Sequence, residues 1–510
     1  MKKVVTIMLT LATVASMMTS CKKEYTQSDI QFRATMEQCT DIHNPKVYLD
    51  GTQLNWSYGD MISVYNNSQL AYYEATPGDP ATTATFRYFE GDAIDVSRGI
   101  SALYPAYSLY SRQDNKVYLP YNIISDDGSL VDFPMYAKSS TNELHFKNLC
   151  GVLKLHLQKD NTTITRITLR VNRGTHHLWG WFYPYISSDG EEVNFVNTGE
   201  HEDYSLNRVV LHCNQSIDQG HDFYFAIPED EYSGLMLEIV TSDGMRCIKG
   251  PASRNVVVER SKYSTLTLTG NDLVFDVPVG TVNGLFTINE QNDQVRFSQG
   301  NLIYNNDERS WLIPLYQHDN GYYFFWGAGD NPLIMHSTIF DGYWEWGRNT
   351  ILSSDMSGDY DITTGWRTLT RDEWNYVLFG RTGAASKRGF ATISNIHGLL
   401  ILPDNSDVTI NTSWSSWDDN EFRLNDFIEM AYEKGIVFLP AEGLRNGSTV
   451  YEYNEKGYYW TSTPYTPEGT GIEQNAAWYL GFNPEFLNPI FVGIQQIDHR
   501  LSVRLVKDAQ

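Results

Sequence analysis

Short stretches in which apolar and polar residues alternate, separated by turn residues, fill the chain from Ile30 onward. Residues 47–49, 61–65, 101–104, 117–121 and 144–146 each read as a strand, because side chains two apart on an extended chain share a face. Residues 152–157 alternate cleanly, with Val152, Leu153, Leu155 and Leu157 set against Lys154 and His156. Asp50-Gly51, Tyr58-Gly59-Asp60, Pro77-Gly78-Asp79-Pro80 and Asp126-Asp127-Gly128 supply turn chemistry between them. Strands this short at this spacing predict β-sandwiches. Further strands are expected at 164 onward, 223–228 and 263–268.

Beyond residue 272 the pattern changes. Thr370 followed three residues later by Glu373 forms a capping box, and Trp374, Val377 and Leu378 then recur on one helical face, with an end expected by Gly383. A second helix is predicted over 426–434, with Phe427, Met430 and Ala431 on one side and Gly435 as its stop. Short strands at 295–297, 436–439, 458–462, 477–482 and 501–506 surround the two helices, an α+β pattern. The organisation expected is a leader (1–20), a tether (21–29), a first sandwich (30–160), a second (161–272), a linker (273–284) and an α+β unit (285–510).

Composition changes this picture mainly by exclusion. The 510-residue chain carries 62 acidic against 38 basic side chains, a net charge of −24, which disfavours nucleic acid and anionic lipid as partners. Aromatic residues make up 14%, with 33 Tyr and 13 Trp, which favours strands and exposed rings. Cys21, Cys39, Cys150, Cys213 and Cys247 show no CxxC or metal-ligand spacing. Four thiols besides Cys21 allow three pairings, and buried free thiols are an equal alternative.

At the N-terminus, Lys2 and Lys3 precede an apolar and small-residue run too short to span a bilayer, which reads as a secretory leader. Thr19-Ser20-Cys21 resembles a bacterial lipobox, with Met18 departing from the usual Leu. The resemblance implies lipidation of Cys21 and attachment to the outer membrane at the cell surface.

Leu54-Asn55-Trp56, Gly59-Asp60-Met61-Ile62, Ala102-Leu103-Tyr104-Pro105 and Phe146-Lys147-Asn148-Leu149-Cys150-Gly151-Val152-Leu153-Lys154 resemble, in order and interval, the fimbrillin-like family of Gram-negative bacteria. That resemblance implies two tandem transthyretin-like β-sandwiches, pilus subunits as partners and a role in adhesion. In some members the first strand is cut after an Arg and replaced by a partner's strand. Arg33 is the candidate here, set against the plainer reading of an Arg on an uncleaved strand.

In the C-terminal part, Phe297-Ser298-Gln299-Gly300-Asn301-Leu302, Trp366-Arg367-Thr368-Leu369-Thr370, the run Phe438 to Arg445, Gly457-Tyr458-Tyr459-Trp460-Thr461-Ser462 and Ser502-Val503-Arg504-Leu505-Val506 resemble the C-type-lectin-like fold in its sulfatase-modifying branch. Enzymes of that branch use paired cysteines, and none follows Cys247. Thiol chemistry is therefore excluded from this part by composition. His397 and His499 lack a nucleophile motif beside them. The expectation is a binding protein without catalytic residues.

Calcium is weighed at Trp417-Asp418-Asp419-Asn420-Glu421 and at Asp355, Asp359 and Asp361, against solvated acidic loops. His176 and His177, adjacent on a strand, face opposite ways and cannot chelate together. The remaining candidate is a display surface in residues 458–491. There Tyr459, Tyr465, Tyr479, Phe482, Asn483, Phe486 and Asn488 combine rigid aromatic area with adaptable amides. Trp460 and Trp478 are expected in the core. The function expected is a lipid-anchored adhesin or pilus-tip subunit that binds a protein or glycan. The alternatives are a structural pilin polymerising by strand exchange and an enzyme of sulfatase-modifying descent.

Overall fold

The computed structural model describes residues 30–41, 54–76, 81–112, 115–131, 133–171, 177–188, 190, 192–198, 208–305, 310–314, 316–327, 351–355, 358–362, 365–465, 476–486 and 488–509. The protein is mostly β, with two α-helices among the described residues. The leader, the tether, Cys21, the expected strand at 47–49 and His176 lie outside them.

Seven strands close a barrel in the order Phe32–Met36, Glu143–Asn148, Met135–Ser139, Ile100–Tyr104, Met61–Tyr65, Leu70–Ala75 and Thr83–Gly91. Alternation directs the packing: in Leu70–Ala75 every second residue, Ala71, Tyr73 and Ala75, is buried. Trp56 fills the interior, edge-on to Phe86, Tyr104 and Phe146 at 4.9, 5.2 and 5.4 Å. Such T-shaped contacts suit the ring quadrupole.

The first strand is an integral stave of this barrel. Phe32 and Ala34 point into the core, and the strand pairs with Glu143–Asn148 on one side and Thr83–Gly91 on the other. Arg33 projects outward, but its N–H donates to Asn142 O at 2.9 Å and its neighbours across the ladders are Glu143 and Thr85. Its backbone therefore lacks the free extended segment that a protease must grip. A cut after Arg33 would also divide the strand rather than release it.

The boundary expected at residue 160 is corrected by strand pairing. Cys150–Gln158 lies inside a four-stranded sheet, between His221–Pro228 and Lys262–Thr269, with Thr40–Asp41 at the edge. Alternation lets this sheet serve two cores: Leu153, Leu155 and Leu157 face the second core, while Cys150 and Val152 face the first. Opposite it stands a six-stranded sheet, Val277–Pro278, Met245–Lys249, Leu235–Thr241, Thr163–Val171, Arg208–Ser216 and Asn122–Ile124. Strands from before residue 125 thus complete sheets of the second unit.

The expected linker is also corrected. Leu273, Val277, Val279, Thr281 and Val282 are buried, and Val277–Pro278 adds to the strand Met245–Lys249. The segment is a docked strap. It runs beside a buried ion cluster in which Glu238 accepts from Arg166 at 2.9 Å and Arg246 at 2.8 Å.

In the C-terminal unit the two ends of the chain segment meet in one sheet: Phe286–Thr287 pairs with Gln294–Phe297, which pairs antiparallel with Leu505–Asp508, which also pairs with Trp366–Thr368. Thr370 caps the helix Arg371–Asn375 with the reciprocal Glu373 contact, and a π-helical turn, Tyr376–Gly380, ends it. Trp374, Val377 and Leu378 are buried as their spacing predicts. The second helix is Leu424–Lys434, stopped by Gly435 at φ 67°.

Arg504, fully buried, pins the interior of this unit. Its guanidinium donates to Asn301 Oδ1 at 3.2 Å and Gln317 Oε1 at 2.6 Å, and Gln317 Nε2 donates to Ile436 O at 2.6 Å. A buried cation is tolerable only with such partners. Cys39, Cys150, Cys213 and Cys247 are free and buried, and desolvation pushes the thiols of Cys39 and Cys213 up to about 12. They act as small hydrophobes.

Candidate functional site

Three antiparallel strands, Gly457–Pro464, Ala476–Phe482 and Ile490–Gln496, carry Tyr459, Tyr479 and Phe482 of the residues that the sequence nominates for ligand contact, and Tyr465, Asn483, Phe486 and Asn488 lie just beyond the strand ends. Alternation divides them between two faces. One face packs on the main core of the unit through Tyr459, Leu480, Phe482 and Ile490. The other packs on a second core through the buried Tyr458 and Trp460, and beyond them carries the half-buried Tyr479 and Phe491, interleaved with Gly481 and Gly493.

Three of the nominated residues are corrected by this division. Tyr459 and Phe482 are 0% exposed, stacked on each other at 6.0 Å, and Tyr459 donates its hydroxyl to Pro440 O at 2.8 Å. Asn483 is buried as well, and its Oδ1 accepts from Glu485 N at 2.7 Å, closing the loop that follows the strand. None of the three is available to a ligand. Tyr465 is half-buried and sits 6.0 Å from Trp478, whose position in the strand places it on the face opposite Tyr479. Trp460 is fully buried, whereas Trp478 is half-exposed beneath the Arg371 guanidinium at 4.8 Å.

Tyr479, Phe486 and Asn488 remain on the accessible side, with Asn488 exposed on the loop rim. The structure joins Tyr479 and Phe486 through rings not nominated from sequence. Tyr458 lies 5.5 Å from Tyr479, Tyr479 5.8 Å from Phe491 and Phe491 5.2 Å from Phe486. Four rings thus form a row across the sheet.

The glycines make that row possible. Tyr479 pairs with Gly493 and Phe491 with Gly481. A Cβ on Gly481 would lie 2.6 Å from Phe491 Cζ and 2.9 Å from Tyr479 Cε2, and one on Gly493 would lie 2.9 Å from Phe491 Cε2. Each ring lies across a position without a side chain, which keeps it flat and fixed. The signal was present in the sequence as Tyr479-Leu480-Gly481 and Phe491-Val492-Gly493, an aromatic and a glycine two apart in facing strands.

Charge is confined to the margin. Glu452 accepts from Tyr458 Oη at 2.6 Å and from Lys456 Nζ, and Lys456 Nζ also lies 5.3 Å from the Phe486 ring centre. Burial works to raise the Glu452 carboxyl, but these donors outweigh it and hold it below its ordinary value. Burial, with the nearby Glu452 charge, pushes the Tyr479 hydroxyl up to about 12. At neutral pH the rings are therefore neutral, and the row offers apolar faces with the Tyr479 hydroxyl at the edge.

At the weighed calcium loop Asp418, Asp419 and Asn420 are already engaged within the protein. Asp418 Oδ1 accepts from Thr392 Oγ1 at 2.8 Å, and Asp419 accepts from Ser415 N and Oγ at 3.0 and 2.9 Å. Asn420 spends its amide on Phe390 O and Asn411 O at 2.7 and 2.9 Å. The loop stitches itself to a neighbouring strand. The side chains of Asp355, Asp359 and Asp361 lie outside the description. Among the described residues no group of three or more His, Cys, Asp or Glu gathers at metal-binding distance, and His397 stacks on Trp417 at 5.2 Å.

No protein-family model matches the chain, and no curated protein matches it. Solved structures similar to it include a candidate cell adhesion protein from Bacteroides ovatus, 13% identical, covering 48% of this chain and 93% of that one with a TM-score of 0.31. A tip fimbrial protein from Porphyromonas gingivalis with a C-terminal truncation is 10% identical over 47% of this chain and 95% of that one, TM-score 0.22. A fimbrial protein from Bacteroides ovatus is 9% identical over 94% of this chain and 99% of that one, TM-score 0.25. At these identities and TM-scores the site has to be read from its own geometry.

Proposed function

We propose that this protein is a cell-surface adhesin or pilus-associated subunit whose C-terminal unit binds a protein or glycan ligand on the aromatic row Tyr479, Phe491 and Phe486, which the buried Tyr458 supports from behind. The observation that carries the reading is the fixed seating of Tyr479 and Phe491 over Gly493 and Gly481. Rings held this way present contact area without paying for side-chain ordering on binding. The sugar face of a glycan or an apolar patch of a protein would suit it equally. The C-type-lectin-like resemblance of this part is kept as an expectation about its fold.

Attachment to the outer membrane rests on the leader pattern and Cys21. No helix among the described residues is long and apolar enough to cross a membrane. Polymerisation by exchange of the first strand is the weaker reading, because Phe32–Met36 is paired along both edges.

A screen of the full chain against arrays of glycans and host-surface proteins, with and without chelator, tests the proposal. Ligand capture that persists in chelator is the expected result. Capture abolished by chelator, or no capture on either array, would count against it.

A further inference from the structure

The N-terminal segment is bonded into two units in succession. Phe32–Met36 closes the barrel, and the chain then passes through Glu37 and Cys39 to Thr40–Asp41, which pairs parallel with Lys262–Thr269 of the next sheet. Phe32, Ala34 and Cys39 are buried in the barrel core.

Side chains tie down the far end of this strand. Glu37 accepts from Arg260 Nη1 and from Ser261 Oγ at 2.8 Å, both in the second unit, and from Asn148 N at 3.0 Å. Asn148 Nδ2 donates to Glu37 O at 3.3 Å, and Thr40 N donates to Ser261 O at 3.0 Å. Hydrogen bonds to an ionised carboxylate are about twice as strong as neutral ones, and Glu37 is half-buried.

Strand direction decides how the segment carries a load. Phe32–Met36 runs parallel to Glu143–Asn148, in a register from Arg33 opposite Glu143 to Met36 opposite Phe146. Main-chain bonds span the pair from end to end: Arg33 N donates to Asn142 O at 2.9 Å and Glu37 N to Phe146 O at 3.0 Å. Glu143–Asn148 continues through Leu149 into Cys150–Gln158, the strand held between His221–Pro228 and Lys262–Thr269. The second unit is joined in turn to the C-terminal one, where Tyr432 donates to Glu238.

A pull on the chain ahead of Ile30 therefore enters one strand at its N-terminal end, while the second unit holds the neighbouring strand at its C-terminal end. Parallel strands loaded at opposite ends slide along each other, so their evenly spaced bonds share the load and fail together. Parallel strands loaded at the same end peel, and their bonds fail one after another.

We infer that the segment 30–41 is a mechanical clamp, which takes up tension between an N-terminal attachment and a ligand held by the C-terminal unit and resists it in shear. The source of that tension rests on the reading of the protein as a surface-anchored adhesin, whereas the geometry of the clamp does not.

Single-molecule force spectroscopy on the full chain from Cys21 to Gln510, without lipid, tests it. One handle is attached at the Cys21 thiol, with which the buried Cys39, Cys150, Cys213 and Cys247 do not compete. The other is attached at an exposed position, either Gln158→Cys at the end of the strand Cys150–Gln158 or Ser140→Cys in the turn before Glu143. The first pair of handles loads the two parallel strands in shear, and the second pair peels the same strands apart. Opening the barrel in shear should take at least about twofold the force needed in peeling, because forced unfolding follows the unfolding barrier and bonds that break together raise it. Glu37→Gln should lower the shear force and leave the peeling force as it was, since peeling starts at Arg33 and reaches position 37 last. Neither handle uses lipid or ligand, so this result is separate from that of the array screen, on which the adhesin reading stands or falls. Equal forces in the two geometries, or a shear force indifferent to Glu37→Gln, would overturn the inference.

Discussion

Tyr432, on the second helix of the C-terminal unit, donates its hydroxyl to Glu238 Oε2 at 2.6 Å, and the Arg170 guanidinium lies 4.4 Å from the centre of the same ring. Glu238 belongs to the six-stranded sheet of the preceding unit. A single buried carboxylate therefore gathers Arg166, Arg246 and Tyr432 from both sides of the joint. The C-terminal row is consequently carried on a fixed neck, with the strap 273–284 lying along it.

The joint makes a prediction about pH. Burial alone would raise the Glu238 carboxyl, but Arg246 and Arg166 outweigh it and bring it from 4.5 to about 2. A lowered folded pKa gives stability that is present above the unfolded value and lost as pH falls toward the folded one. Glu238→Gln should cost ~3–5 kcal/mol near neutral pH, because it leaves buried guanidinium charge uncompensated. The gap from wild type should narrow as pH drops from about 4.5 toward 2. Denaturant melts across that range check it, and a gap independent of pH would show that the ion cluster is not the cause.

Burial separates two phenylalanines that look alike in the sequence. Phe482→Ala should destabilise by ~3–5 kcal/mol, the usual cost of emptying a core ring site, because Phe482 fills the space between Tyr459, Trp417 and the backbone of Gly457. Phe486→Ala, at a half-buried position on the loop, should change stability by well under ~1 kcal/mol. Equal effects in urea melts would contradict the placement of the two faces.

Much of this was legible in the chain. Both helices, their caps and their buried faces follow from Thr370, Glu373, Trp374 and Gly435, since capping and 3.6-residue spacing are local properties. The strand around Val152 was equally plain, but its partners were not. Alternation says that two faces of Cys150–Gln158 differ and is silent about which strands it joins, so the sequence places a boundary at 160, just after a strand that pairs with His221–Pro228 and Lys262–Thr269. The strap 273–284 reads as a linker because Pro278, Gly280 and Gly284 punctuate it, while its burial depends on a distant strand, Met245–Lys249. The aromatic run after residue 458 is legible in the sequence, yet sorting it needs the strand register: one position separates half-buried Tyr479 from fully buried Leu480.

The glycine floor predicts its own variant. Gly481→Ala would set a methyl against Phe491 and Tyr479, and because the obstructing atoms are ring edges the rings should turn aside while the sheet survives. The expected signs are a changed near-ultraviolet dichroism spectrum and a loss of ~1–3 kcal/mol in stability. An unchanged spectrum would mean that the rings are not seated as described.

Arg33 gives a proteolytic test. An Arg-specific protease acting on the native protein should leave the Arg33–Ala34 bond intact, because that backbone is bonded within the barrel. Cleavage of a paired strand requires local opening, so scission should appear only as the barrel melts. Rapid cutting at Arg33 in native buffer would revive strand exchange.

The most direct measurement is the affinity of three full-length proteins for the strongest ligand found on the arrays: wild type, the Tyr479→Ala/Phe491→Ala variant, and Asp418→Asn. Binding energy concentrates in a few anchored rings, so the aromatic variant should lose about 2 kcal/mol or more while Asp418→Asn binds as wild type does. Full affinity in the aromatic variant, with binding lost in Asp418→Asn, would place the site at the acidic loop and contradict the account.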